Sequence, residues 1–243
     1  MAASTTFTSK LKEKETLAEG TMGFYFAKPA GFQFKPGQYL DITLVNPTET
    51  DAEGNIRSLS IASAPEDEHL LVATRMRDSA FKRVLRTAAL DLEVNMEGPM
   101  GSFNLHNNSA KPAVFLAGGI GITPFSSIVR HAANAKLPHK LYLFYSNRRP
   151  EDAAFLPILQ ALEKENLNYQ FIPSMSEMNK SAQTWSGETG FINREMLVRH
   201  LPNLQGPIYY IAGPPAMVAA MREMLNSAGV DEDDIRTEEF AGY

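Results

Sequence analysis

Cysteine is absent from all 243 residues. That excludes disulfides, thiolate nucleophiles, cysteine-type structural zinc and a cysteine-ligated iron–sulfur cluster within this chain. Long apolar runs are missing as well. None approaches the roughly 20 residues needed to cross a bilayer, and the opening MAASTTFTSK has no apolar stretch of the kind a secretory signal carries. An excess of basic charge is also lacking. The chain has 23 Lys and Arg against 28 Asp and Glu, a formal charge of −5, and no long basic block, so nucleic acid is not expected as a main partner. The histidines, His69, His106, His131, His139 and His200, show no ligand spacing, and no metal site is expected. No Gly-x-Ser-x-Gly element marks a nucleophile. A cytoplasmic protein without a membrane span is the expectation.

What is present has the texture of a globular enzyme, 44% hydrophobic and 21% charged, long enough for one large domain or two small ones that each bury a core. The first half is rich in turn residues. TMGFYFAKP, GQYLDITLV, RSLSIAS, HLLVATRMR and DLEVNMEGP read as short strands at regular spacing, which suggests an antiparallel barrel or sandwich. Only residues 79–89 have helical spacing, through Phe81, Val84, Leu85 and Ala88, with Asp78 as the expected N-cap. After Lys111 the rhythm changes. AVFLA, KLYLFYS, NYQFI and IYYIA are nearly unbroken apolar strands separated by helical stretches, one with Phe155, Leu159 and Leu162 on a face and one stopped by Gly229. Such alternation predicts a parallel sheet covered by helices. The polar stretch 104–112 divides the two, giving an antiparallel β-barrel domain over 1–105 and an α/β domain over 111–243.

Two glycine turns carry the most specific local chemistry. In VFLAGGIGITPFSS an apolar strand runs into Gly118, Gly119 and Gly121, after which Thr123 and Pro124 are placed as N-cap and first residue of a helix. Glycines let backbone amides approach a phosphate, and a helix N-terminus adds an electropositive end, although a plain tight turn has the same look. The spacing is not the G-x-G-x-x-G fingerprint. A second strand, YYIA, runs into Gly213, Pro214 and a helix. Two such ends on one parallel sheet frame a nucleotide crevice.

With RSLS at 57–60, EGPMGSF at 97–103, GGIGITP at 118–124 and AGPP at 212–215 in this order, the chain resembles the ferredoxin–NADP reductase family of flavoproteins over nearly its whole length. The resemblance implies a flavin barrel binding FAD, a second domain binding NAD(P)H, and hydride transfer from nicotinamide to flavin. It assigns Arg57 to the FAD pyrophosphate, a role that suits a guanidinium fork, and Ser60 to the neighbourhood of flavin N5. Ser58 lies between them. Leu59 stands where the family has an aromatic that covers the flavin ring. Thr74, Arg75 and Met76 would line the flavin. The family's Gly-x-x-Ser element is replaced by Ser79 and Lys82, so Ser79, Ala80 and Phe81 are expected to present backbone amides to phosphate, with Lys82 adding charge. Gly118, Gly119, Gly121, Thr123 and Pro124 would take the NAD(P)H pyrophosphate. Ala212 replaces the family's cysteine beside the reacting nicotinamide carbon and precedes Gly213 and Pro214.

Arg148 and Arg149 offer a 2′-phosphate site, yet NRRPEDAAF is also similar to the segment of NADH-using cytochrome b5 reductases, and NADH is the preferred expectation. At the C-terminus Glu239-Phe240 resembles the family's Glu-x-aromatic, with Phe240 as the ring shield and Tyr243 as the other aromatic candidate. The implied acceptor is an electron-carrier protein, such as ferredoxin, flavodoxin or an oxygenase component. Arg75, Arg77, Lys82, Arg83 and Arg86 would form its docking patch or neutralise flavin phosphate. A small-molecule reductase and a non-catalytic nucleotide-binding subunit are the alternatives, and the departures at Leu59 and Ala212 keep the last of these open.

Overall fold

The computed structural model describes residues 4–240. Its first strand is hidden in the sequence pattern. β1 (Thr5–Ala18) carries Lys10, Lys12, Glu13, Lys14 and Glu15, poor strand formers, yet Ser9 and Leu11 alternate into the interior. Antiparallel pairing on both sides, with β2 (Thr21–Ala27) and β6 (Glu93–Met100), overrides that propensity. β3 (Tyr39–Leu44), β4 (Ile56–Ser60) and β5 (His69–Arg75) complete a sheet in the order β4-β3-β6-β1-β2-β5. Its outer strands meet through a bridge between Ile61 and Val72, and the Ala62 N–H donates to the Leu71 carbonyl at 2.7 Å, which closes the sheet into the expected barrel. Phe24, Phe26, Leu40, Ile42, Leu70 and Val72 fill it.

Helix α1 (Ala80–Thr87) buries Phe81, Val84 and Leu85 in the same core, one face at the spacing of three and four. Its N-cap is Ser79, whose hydroxyl accepts from the Lys82 N–H at 3.4 Å, and not Asp78. Asp78 instead pairs with Arg83 one helical turn away.

The second sheet is parallel throughout. β7 (Ala113–Gly118), β8 (Leu141–Asn147), β9 (Tyr169–Met175), β10 (Glu188–Thr189), β11 (Ile208–Gly213) and β12 (Ile235–Glu239) lie in the order β10-β9-β8-β7-β11-β12. Successive residues of β7 go to opposite cores. Phe115 packs with Phe125 and Ile128 of α2 (Ile122–Asn134) and Leu159 of α3 (Leu156–Glu165). Val114 and Leu116 pack with Leu197 of α4 (Arg194–His200) and Leu225 of α5 (Pro215–Ser227). Burial on both faces is why this strand reads as an unbroken apolar run. Gly229 does take the left-handed conformation after α5, at φ 81°. Phe155 precedes α3 rather than joining it, at φ 63°. Residues Ile235–Glu239 form the edge strand β12.

The domain junction is sewn by residues just beyond RSLS. Ser126 and Ser127 of α2 donate to the carbonyls of Ala62 and Ser63 at 3.1 and 2.6 Å, and Arg130 pairs with Asp67 at 2.7 Å. Among the described residues no helix is long and apolar enough to cross a membrane.

Candidate active site

From β7 the chain steps outward to β8 and β9, then returns to place β11 and β12 on the other side of β7. The switch in direction therefore falls between β7 and β11, and a crevice opens beyond their carboxyl ends. Both glycine turns sit there. Their glycines do different work. A Cβ on Gly121 would stand 2.3 Å from the Ala212 carbonyl oxygen, and one on Gly118 would stand 2.2 Å from Met217 Sδ. These two glycines, with Gly213, let one turn pack directly on the other. Gly119 alone, at φ 53°, faces open space, where the nearest atom to an added Cβ would be Arg75 Nε at 3.9 Å. Thr123 and Pro124 are not the start of the helix: α2 begins at Ile122, Thr123 Oγ1 donates back to the Ile120 carbonyl at 3.1 Å, and both side chains are buried.

The crevice is a cleft of about 300 Å³ lined by Arg75, Arg77, Gly118, Gly119, Ile120, Arg148, Pro214 and Phe240. Among the described residues Arg75 and Arg77 have no carboxylate within ion-pair distance. Three guanidinium groups around a glycine turn make a strongly anion-seeking surface in a chain of net negative charge. Arg149 does not join them. Its guanidinium is held at 2.9 Å by both Asp152 and Glu19, so it ties the two domains together. Burial raises the Asp152 carboxyl, but the Arg149 hydrogen bond and the charges of Arg148 and Arg149 outweigh it and hold the group below the usual carboxylate range. Arg148 remains about half exposed and is the residue of the pair that faces the cleft.

The Phe240 N–H donates to the Gly213 carbonyl at 3.0 Å, which anchors the ring at the cleft as an extension of β12. The acid on the inner face of this strand is Glu238, not Glu239. Glu239 is exposed, whereas Glu238 pairs in register with Ala212, has a buried Oε2 without a hydrogen-bond partner among the described residues, and is pushed up to about 7 by burial. Ala212 itself is fully buried and does not line the cleft. Tyr243 lies outside the described residues.

On the barrel side, Arg57 and Phe81 meet, with the guanidinium carbon 5.2 Å from the ring centre. Lys82 is buried rather than on a wet face, and burial first, then the charges of Arg77 and Arg57, hold its ammonium below the ordinary lysine range. Ala80, Phe81, Thr74 and Ser60 are buried, Met76 is half-buried against the barrel core, and the exposed Ser58 donates to Asp41. Leu59 is 4% exposed and belongs to the barrel core, with Leu40 and Ile42. Its side chain packs in that interior. The Arg83 guanidinium is taken by Glu49 and Asp78, which removes it from a free basic patch.

The donor set here suits a pyrophosphate: a guanidinium, an ammonium and the Ala80 N–H at the head of α1, which donates at 2.6 Å to Asp51 Oδ2. An anion is thus already accepted at that position, though it is the chain's own carboxylate. Asp51 joins the barrel side of the site without any motif that marks it, and Arg77, one of the basic cluster named from the sequence, lines the cleft.

Residues 115–223 match the model of an oxidoreductase NAD-binding domain. The reductase component of propane 2-monooxygenase from Rhodococcus jostii is 28% identical over 219 residues, covering 88% of this chain and 57% of that protein. The chain therefore spans less than two thirds of that relative. Among solved structures, the Amycolatopsis cytochrome P450 reductase GcoB superposes with a TM-score of 0.82 at 23% identity, over 98% of this chain and 70% of that one. A ferredoxin–NADP+ reductase from Neisseria gonorrhoeae, solved with bound FAD and NADP, gives 0.79 at 20% identity, over 96% and 98%. With an oxidoreductase NAD-binding domain matched over 115–223 and these likenesses in sequence and fold, the chain is similar to ferredoxin–NADP reductase-like oxidoreductases.

Proposed function

We propose that this chain is a flavin-dependent reductase that takes a hydride from NAD(P)H and passes electrons to a separate acceptor, in the manner of the reductase component of an oxygenase. The observation that carries the reading is the arginine-lined cleft at the switch point, closed on one side by Phe240. Gly119, Arg75, Arg77 and Arg148 would hold the nucleotide's pyrophosphate, and Phe240 would cover the ring until nicotinamide displaces it. Arg57, Lys82 and the Ala80 N–H would hold the pyrophosphate of FAD. When bound, the flavin supplies the chemistry of accepting a hydride and releasing electrons one or two at a time. The protein's part is to fix the two rings in contact, and hydride transfer asks for no acid or base at Ala212. NADH is the preferred donor, because Arg149 is committed to Asp152 and Glu19. We assign the flavin to 1–105 and the nucleotide to 111–243, and place the protein in the cytoplasm, where reduced nicotinamide nucleotides are available.

The deciding measurement is anaerobic titration of the FAD-loaded protein. Bleaching of the flavin absorbance by NADH supports the reading, and a yellow protein that neither NADH nor NADPH bleaches overturns it. Arg57→Ala should weaken FAD binding by about 1.5–3 kcal/mol, the worth of a charge-assisted contact, and equilibrium dialysis reads this directly. Phe240→Ala should change the KM for the nucleotide severalfold while FAD retention stays level. An unchanged KM would reduce Phe240 to the end of an edge strand.

A further inference from the structure

The connection between β3 and β4 carries Glu49, Asp51 and Glu53 at alternate positions, and each carboxylate lands on a cation or donor, two of them on α1 and the third on Arg57 of β4, which packs over Phe81 of α1. Both oxygens of Glu49 accept from Arg83, the closer at 2.7 Å. Asp51 Oδ2 accepts from the Ala80 N–H at 2.6 Å. Glu53 Oε2 accepts from Arg57 Nη2 at 2.7 Å, and Arg57 Nη1 donates to the carbonyls of Glu53, Gly54 and Ile56 at 3.0, 3.2 and 2.7 Å. The Arg57 side chain is left only 17% exposed. Helix α1 does not require this loop as a cap, since Ser79 already serves. What the loop does is fill, with two carboxylates, the donors that suit a diphosphate.

We propose that Asp51 and Glu53 set the affinity of this site for flavin diphosphates, because their carboxylates occupy the positions that pyrophosphate oxygens would take on Ala80 and Arg57. The inference rests on the flavin reading above. Two anions cannot share one N–H and one guanidinium fork, so FAD binds only as the loop lets go, and part of the binding energy is spent on its release. The loop is suited to leave. Among the described residues, Glu53 is 71% exposed and Gly54 takes a positive φ of 74° with nothing near its Cβ direction, so this turn packs on no core.

The experiment compares wild-type protein with the Asp51→Ala/Glu53→Ala variant, both stripped of flavin, by quenching of FAD and riboflavin fluorescence. The variant is expected to bind FAD about tenfold more tightly, and to bind riboflavin, which lacks phosphate, as the wild type does. A variant with equal or weaker FAD affinity overturns the inference, as does an equal gain for riboflavin. Wild-type protein also reports without mutation. Digestion with a glutamate-specific protease should cut at Glu49 or Glu53 faster once FAD or inorganic pyrophosphate is added, and protection by these ligands would overturn the proposal. Failure of FAD to bind either form overturns the flavin reading together with it, whereas FAD binding with the loop unmoved removes the inference alone.

Discussion

Replacing Gly121 with alanine is expected to lower the stability of the chain by about 3 kcal/mol, at the upper end of the usual cost of forcing atoms into a filled space. The backbone at Gly121 is ordinary, φ −60°, so no conformational strain enters. The cost comes from contact: the new methyl would lie 2.3 Å from the Ala212 oxygen, 2.5 Å from its carbonyl carbon and 2.6 Å from Gly213 N. All three are backbone atoms of β11 and its turn, which no rotamer change can move aside. The two turns must separate, and with them the carboxyl ends of β7 and β11 that bound the cleft. Nucleotide affinity should fall along with stability. Gly119→Ala is the control. It meets no atom closer than 3.9 Å, and its cost, about 1–2 kcal/mol, is that of a left-handed residue acquiring a Cβ. Urea denaturation of the two variants beside the wild type checks the pair. Equal losses at both positions would mean that the glycines share one role, contrary to the packing.

The same two turns mark the limit of what the sequence makes legible. That β7 and β11 are strands of a parallel sheet is readable, because a strand buried on both faces has no polar positions to blur it. That Gly118, Gly121 and Gly213 serve each other while Gly119 serves the cleft is not, since a sequence does not say which turn rests on which. β1 and β12 escape the pattern for a related reason. KLKEKE and IRTEE are polar strands with only one side committed to the interior, so neighbours across the ladder define them more than composition does. Arg57 is legible through its motif. The motif cannot show that the acidic loop just upstream returns to hold it, because that requires Asp51 and Ala80, 29 residues apart, to meet. Leu59 takes a place beside a ring only by analogy with an aromatic. The leucine there packs in the barrel core, where burial of its side chain contributes about 1.5–3 kcal/mol.

Glu238 makes the stability of the chain depend on pH, and Glu238→Gln is expected to abolish that dependence. Burial lifts the carboxyl from 4.5 to about 7, with Oε2 out of reach of any donor among the described residues. The folded chain thus keeps the proton up to about pH 7, whereas the unfolded chain releases it near 4.5. Between those values the unfolded state binds fewer protons, so stability falls as pH rises, and above pH 7 the full penalty of a buried carboxylate stands. At 1.36 kcal/mol per unit the loss reaches at most about 3 kcal/mol, less whatever solvent screens. Glutamine is neutral throughout. Urea denaturation at pH 5, 6, 7 and 8 should show the variant gaining on the wild type across this window and holding a constant margin beyond it. Other groups titrate in both proteins alike and cancel in the difference. Parallel profiles would place the Glu238 carboxylate in water, against its buried Oε2 on the strand that pairs with Ala212. A slope confined to this acid would mean that β12, which delivers Phe240 to the cleft two residues beyond Glu238, is held more firmly below neutrality than above it.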